Sequence, residues 1–255
     1  MDVALADFAA TLPDALIALD FDGPIAPIIN DPQKSRPVPG AIDTLAALAR
    51  SGVQIAVVTG RDAETVLELG QLAAVPGLIV SGVHGAETWH GGTLHTRTEP
   101  DGLAELRNRL PALLAEVDPD AWLEDKRLSL VVHTRRTADP SGALAALTGP
   151  VADLAERAGL EAHPGKMVLE IRIPNLSKAD AMNTLLATGR SGALFAGDDI
   201  GDLPAFAAVR AWAGRTGHPG VTIGVGENGD VRAATDVQLD SAYELFALLG
   251  KLAEG

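Results

Sequence analysis

The chain has 255 residues, 47% of them apolar and 4% aromatic, enough to bury the core of one large domain or two modest ones. It has no cysteine, which excludes a disulfide framework and a thiolate metal site, and no apolar run approaches the roughly 20 residues of a membrane span. A formal charge of −14 argues against nucleic acid or an anionic membrane as partner, and an anionic substrate would need local positive charge or a metal.

The N-terminal stretch starts acidic and carries no basic region ahead of its first apolar run, so a signal peptide is not expected and a cytoplasmic location fits. That first run, ALIAL at 15–19, is followed by VQIAVV at 53–58, GLIV at 77–80, GALFAG at 192–197 and VTIGVG at 221–226. Their apolarity is continuous rather than alternating, which predicts strands covered on both faces, as in a parallel sheet. Between them, PGAIDTLAALARSG (39–52), RDAETVLELGQLA (61–73) and SKADAMNTLLATG (177–189) carry helical spacing. Strand and helix in alternation predict an α/β core with helices on both faces of the sheet.

The middle of the chain has a different rhythm. Residues 86–98 (AETWHGGTLHTRT) predict a hairpin around Gly91-Gly92. Residues 121–136 and 166–174 alternate apolar and polar, as half-exposed strands do, and helical patterns at 101–117 and 141–158 would cover their buried face. Residues 89–172 therefore read as an α+β domain inserted into a first domain made of 1–88 and 173–255.

The chemistry-bearing residues stand where apolar runs end. Asp20 and Asp22 follow the first strand, on one side of the chain with Phe21 opposite, and ligands of a parallel sheet bind beyond such strand ends. Two unpaired carboxylates repel, and a hard divalent cation such as Mg²⁺ relieves that repulsion while leaving room for a phosphate. A solvated acidic turn is the alternative for this pair alone. A second cluster, Asp198, Asp199 and Asp202, ends the strand at 192–197, where helix capping is the simpler alternative. Thr59 ends another strand just before a helix whose N-terminal amides suit an oxyanion. Lys178 opens a predicted helix, where a cation opposes the helix dipole unless an anion lies near.

Asp-x-Asp-Gly, a strand-end Thr, a later Lys and Gly-Asp-x-x-x-Asp, in that order, resemble the four motifs of the haloacid dehalogenase (HAD) superfamily. LDFDGPIAPIINDP, VSGVHGAE, LEDKRLSLVVHTR, KMVLEIRIPNLSKADA and GDDIGDLPAF are similar to the trehalose-6-phosphate phosphatases over nearly the whole chain. The resemblance implies a HAD-like Rossmannoid core with an inserted α+β cap domain. It implies Asp20 as the nucleophile that becomes an aspartyl-phosphate, and Asp22 as general acid and then base. Mg²⁺ would be held by Asp20, the Asp22 backbone carbonyl and Asp198, with Asp202 among or behind the ligands. Thr59 and Lys178 would bind phosphoryl oxygens, and Asp199 would lie behind the ligands. Glu124, Lys126 and Glu170 of the cap are the positions matching the family's sugar contacts. His133 and Arg135, at alternate positions of one predicted strand, either join them or form a solvated sheet face. His84 and Glu87 of GVHGAE match a further family motif and suggest a structural role.

The match departs from the family at Pro24, where Thr is usual, so a hydroxyl and an amide donor are lost. It departs again at Gly201-Asp202-Leu203, Ile173 and Ala179, which bears on substrate identity. The expected activity is Mg²⁺-dependent hydrolysis of trehalose 6-phosphate, with a small sugar phosphate as substrate and neither nucleic acid nor membrane as partner. The rivals are a phosphatase for sucrose phosphate or mannosylglycerate phosphate, and a catalytically weak sugar-phosphate-binding regulator.

Overall fold

The computed structural model describes residues 3–126, 128–174 and 176–254. The chain divides into two compact units, Met1–Thr96 with Ser177–Gly255, and Arg97–Leu176. In chain order the first unit begins with α1 (Val3–Ala9), β1 (Ala15–Leu19), α2 (Ala41–Arg50), β2 (Gln54–Val58), α3 (Ala63–Gly70), β3 (Ile79–Gly82), β4 (Glu87–His90) and β5 (Thr93–Thr96). The second unit contains α4 (Asp101–Val117), β6 (Trp122–Lys126), β7 (Ser129–His133), α5 (Pro140–Arg157), β8 (Glu161–Gly165) and β9 (Val168–Arg172). The chain returns to the first unit with α6 (Lys178–Leu186), β10 (Gly192–Gly197), α7 (Leu203–Thr216), β11 (Gly220–Val225), α8 (Gly229–Ala233), β12 (Val237–Leu239) and α9 (Ala242–Glu254).

The sheet of the first unit runs β12-β11-β10-β1-β2-β3-β4-β5. Every pairing from β12 to β3 is parallel, and β4 and β5 add antiparallel. β1 lies between β10 and β2, and all five of its residues are buried. Alternation along β1 sends Ile17 and Leu19 into a core shared with Leu45, Leu48, Leu245 and Leu249 of α2 and α9. Leu16 and Ala18 enter the opposite core, built with Met182 and Leu186 of α6 and Phe206 and Val209 of α7. Burial on both faces is why the strand is apolar without interruption. Among the described residues, no helix is long and apolar enough to cross a membrane.

In the second unit an antiparallel sheet, β6-β7-β9-β8, carries both helices on one face. Leu103, Leu106, Leu110 and Leu114 recur at helical spacing along α4 and meet Leu130, Val132, Leu169 and Ile171 of the strands. The alternate strand residues, Glu124, Val131, His133 and Glu170, therefore belong to the face turned away from the helices.

The inserted unit starts later than the alternating pattern suggests, at residue 97 rather than 89, and ends at 176 rather than 172. The hairpin β4–β5 is the reason, because β4 pairs with β3 and Trp89 and Leu94 pack on the first unit's core. At the other end, Ile173 packs on the second unit's core.

Thr222 on β11 is fully buried, and both its N–H (2.8 Å) and its hydroxyl (2.6 Å) donate to Asp236, just before β12. Burial pushes the Asp236 carboxyl up, but the Thr222 bonds and Arg210 outweigh it and hold it below the usual range. Asp236→Ala should lower stability by about 1–3 kcal/mol at neutral pH in urea unfolding. A depressed acid stabilises only while ionised, so the difference between wild type and variant should shrink as pH falls below about 4.

Candidate active site

The alternation that divides β1 between two cores continues past its end. Asp20 emerges on the side of Leu16 and Ala18, where α6 packs, and Phe21 enters the opposite core. Lys178 is the first residue of α6, set by Ser177, whose hydroxyl oxygen accepts from the Asp180 N–H. Its ammonium donates to Asp20 Oδ2 and to Asp202 Oδ1, both at 2.6 Å, and all three side chains are buried. The second oxygen of Asp20 accepts from the Phe21 N–H at 2.7 Å. Asp202 Oδ2 accepts from the N–H groups of Asp198 (2.9 Å) and Asp199 (3.2 Å), which folds the loop after β10 around it.

One carboxylate oxygen from each of Asp20, Asp198 and Asp202 lies within 4.8 Å of the others. Two glycines make that approach possible. Gly23 has φ +84°, and a Cβ there would stand 2.3 Å from Asp198 Cγ. A Cβ on Gly197 would stand 2.3 Å from Asp202 Cγ.

Burial pushes the Asp20 carboxyl well up, with Asp202 and Asp198 adding to the shift and Lys178 opposing it. Burial likewise raises Asp202 against the pull of Lys178. Asp198 is raised to about 7 by burial and by the charges of Asp202 and Asp199. Burial pulls Lys178 down, but Asp20 and Asp202 outweigh it, and the ammonium is held firmly charged. Three carboxylates thus share one lysine, and among the described residues no hydrogen-bond donor reaches the Asp198 carboxylate. An all-oxygen donor set with uncompensated negative charge fits a hard divalent cation of the Mg²⁺ class.

Asp22 does not join this cluster with its side chain. Its two oxygens accept a fork from Arg61, Nε at 2.7 Å and Nη2 at 2.6 Å. Arg61 also donates to the Pro32 carbonyl at 2.9 Å, and its guanidinium lies 5.6 Å from the Phe21 ring centroid. The hydrogen bonds that Arg61 donates to Asp22 raise its pKa despite its partial burial. Arg61 is absent from the residue set drawn from sequence. Its signal was its place in VVTGR, a cation one residue past a strand-end Thr-Gly in a chain poor in cations.

Thr59 is buried at the end of β2, tied to β3 by its N–H to the Ser81 carbonyl (3.0 Å). Two of the amides that open the following helix, those of Ala63 and Thr65, are already taken by side chains. Asp62 caps the Thr65 N–H at 2.8 Å, and buried Glu87 takes the Ala63 N–H at 2.9 Å. That gives Glu87 the structural part expected of it. His84, left-handed at φ 54°, lies over the same turn, 3.0 Å from where a Gly60 Cβ would be. Asp199 is exposed and caps the turn at Ile200–Asp202.

In the second unit, β7 places Val131 opposite both Glu124 of β6 and Glu170 of β9, so the two carboxylates share one row across three strands. His133 Nε2 lies 2.8 Å from Glu124 Oε2, and Ser129 donates to Glu170 Oε1 at 3.2 Å. Lys126 is exposed at the end of β6. Arg135 does not share a strand face with His133, because β7 ends at His133. The chain turns there on Thr134, whose carbonyl accepts from the Thr137 N–H and hydroxyl, leaving Arg135 exposed.

Strand-end aspartates around a buried lysine, on a parallel sheet interrupted by an inserted α+β unit, define a HAD-type hydrolase fold. A family model described as trehalose-phosphatase matches residues 18–242. The chain belongs to the trehalose-phosphatase family. It is 32% identical over 264 residues to a trehalose-phosphate phosphatase of Mycobacterium marinum, covering 95% of this chain and 62% of that one. It is equally similar, at 32% over 294 residues, to an uncharacterised glycosyl hydrolase of Mycobacterium tuberculosis, covering 99% of this chain and 21% of the other. The chain thus spans about a fifth of one relative and under two thirds of the other. The trehalose-6-phosphate phosphatase structure from Aspergillus fumigatus has the same fold, with a TM-score of 0.78 at 21% identity over 98% of this chain and 97% of that one.

Asp198→Asn tests the charge balance without any assay of turnover. With metal chelated above pH 7, the variant should be more stable than wild type by on the order of 2 kcal/mol, because an acid raised to about 7 loses stability when ionised. The gain should shrink as pH falls through 7 and vanish only below about 4, where the carboxyl is protonated in the unfolded chain as well. In millimolar Mg²⁺ the order should reverse, since only wild type keeps the full donor set; thermal unfolding reads all three.

Proposed function

We propose that the chain is a Mg²⁺-dependent phosphatase that hydrolyses trehalose 6-phosphate to trehalose and inorganic phosphate. The observation that carries this reading is Asp20, held at a strand end by buried Lys178 with oxygens of Asp198 and Asp202 beside it, in a chain of the trehalose-phosphatase family. Asp20 attacks phosphorus, the bond from phosphorus to the sugar oxygen breaks, and Asp22 gives that oxygen its proton. Asp22 then takes a proton from water, whose oxygen displaces Asp20 and completes phosphate. Splitting one difficult substitution into two through a covalent intermediate is the gain from such a nucleophile. Lys178 and Thr59 bind phosphoryl oxygens, where positioning and charge neutralisation do most of the work. Asp20, Asp198, Asp202 and the Asp22 carbonyl would hold Mg²⁺, which would supply positive charge to offset that of the phosphate. Glu124, Lys126 and Glu170 bind the sugar, with His133 and Arg135 nearby in sequence; carboxylates and ammonium groups suit hydroxyl-rich ligands. We read the protein as cytoplasmic, with the sugar phosphate as its partner and neither nucleic acid nor membrane.

A phosphate-release screen with and without Mg²⁺, over trehalose 6-phosphate, sucrose phosphate, mannosylglycerate phosphate and glucose 6-phosphate, should find trehalose 6-phosphate first by kcat/KM. Asp20→Asn should lose at least about 10³-fold in kcat with its fold intact by circular dichroism. A different best sugar would revise the substrate; no release from any would end the enzymatic reading.

The Asp22–Arg61 fork makes a separate prediction. Arg61→Met should slow trehalose 6-phosphate turnover by roughly 10²-fold, the range of a general acid–base contribution. It should slow 4-nitrophenyl phosphate far less, because nitrophenolate leaves without a proton. Equal losses on both substrates would remove Arg61 from the positioning of Asp22.

A further inference from the structure

The face of the second unit's sheet turned away from its helices carries an aromatic stack in the row next to the carboxylates. Trp122 of β6 and His133 of β7 stand opposite each other in the ladder, and their rings stack 3.9 Å apart at 4°. The Arg136 guanidinium lies 5.1 Å from the centre of the Trp122 ring. His133 Nε2 meets Glu124 Oε2 at 2.8 Å, two residues along β6 from Trp122. Three consecutive contacts therefore run from Arg136 through Trp122 and His133 to one oxygen of Glu124.

Each part of that chain has a physical consequence. A glutamate on a sheet surface has three rotatable bonds, and immobilising it on binding costs side-chain entropy. A hydrogen bond to an imidazole removes that cost only if the imidazole is itself fixed. The parallel stack fixes it, because rotation of His133 about its side chain would break the ring contact with Trp122. One Glu124 oxygen is thus occupied, and the other keeps its lone pairs for donors from outside. Glu170 repeats the arrangement more simply, with Ser129 on its Oε1. Both holders sit on β7, between the strands that carry the two acids.

We propose that Trp122 and His133 are positioning residues for sugar recognition: Trp122 clamps His133, and His133 presents Glu124 as a pre-set acceptor for a pair of sugar hydroxyls. The inference rests on the phosphatase reading above, and it gives Trp122 a role other than a platform for the sugar ring, since His133 already covers its ring. It also moves His133 from direct substrate contact to support of Glu124.

The test is a double-mutant cycle on the full chain in Mg²⁺, measuring KM and kcat for trehalose 6-phosphate and for 4-nitrophenyl phosphate, which has no sugar for Glu124 to hold. Trp122→Leu should raise KM for trehalose 6-phosphate about threefold to tenfold, the factor expected for a lost net hydrogen bond, with kcat and 4-nitrophenyl phosphate turnover unchanged. Trp122→Phe, which keeps an aromatic face, should recover most of the loss. In a Glu124→Gln background, Trp122→Leu should add nothing further. Independently, the His133 ring protons should show an upfield ring-current shift in proton NMR that Trp122→Leu abolishes and Trp122→Phe retains. An active wild type with an unaltered Trp122→Leu KM, a full additive loss on top of Glu124→Gln, or an equal loss on 4-nitrophenyl phosphate would overturn the inference alone. Wild type that releases phosphate from no sugar phosphate would overturn the phosphatase reading, and this inference with it.

Discussion

The Lys178 ammonium between Asp20 and Asp202 is the contact from which the rest of the site is built. Each partner depends on the others. A lysine at the first position of a helix faces the positive end of the dipole, and buried away from water it would shed its proton if it stood alone. Two buried carboxylates so close would protonate for the same reason. Together, Lys178 keeps its charge and opposes that protonation, and its contacts, at 2.6 Å on each side, tie the end of β1, α6 and the loop after β10 at one point. Those segments are far apart in sequence, so the ion triad also fixes a tertiary arrangement. Removing one member would leave buried charge without a partner, the costly case for a buried pair.

The electrostatics of the site follow from counting what the triad leaves over. Asp20, Asp198 and Asp202 bring three negative charges against one lysine, and Asp22 is matched by Arg61. The surplus sits on Asp198, the carboxylate without a donor, which is where burial and neighbouring charge raise the pKa to about 7. A divalent cation held there would turn this surplus into attraction for an anion, which would answer the difficulty set by the overall charge of −14. The net field of the protein repels an anion at long range, but a screened field beyond about 10 Å matters less than fixed charges within a few ångströms.

How much of this was legible in the sequence depended on whether the signal was local. The strands β1, β2, β10 and β11 are legible because burial on both faces leaves an unbroken apolar run, and Asp20, Thr59 and Asp198 are legible because they end such runs. The hairpin β4–β5 was legible as a hairpin, yet its alternation carries nothing about which sheet it joins; pairing of β4 with β3 decided that. β8 hides behind Pro164 and Gly165, residues that read as loop. The Ala63 amide that opens α3 reads as free in the sequence because its acceptor, Glu87, lies 24 residues further on. The Asp22–Arg61 fork spans 39 residues and was hidden for the same reason. Long-range hydrogen bonds leave no periodic trace, so sequence patterns find the elements and miss the clamps.

Pro24 shows why the clamps matter. Proline has no N–H, so the chain two residues past Asp22 offers it no amide donor. The carboxylate is nevertheless held on both oxygens, by a guanidinium arriving from the end of β2. A fork of this kind fixes the carboxylate plane as well as its position, which a single amide donor does not. It takes one lone pair from each oxygen and leaves the others open to a leaving group or a water. Arg61 is in turn anchored by the Pro32 carbonyl, so the segment that begins with Asp20 closes on itself through Asp22, Arg61 and Pro32. The acid therefore keeps a defined orientation through Arg61, just past the end of β2, without help from its own turn.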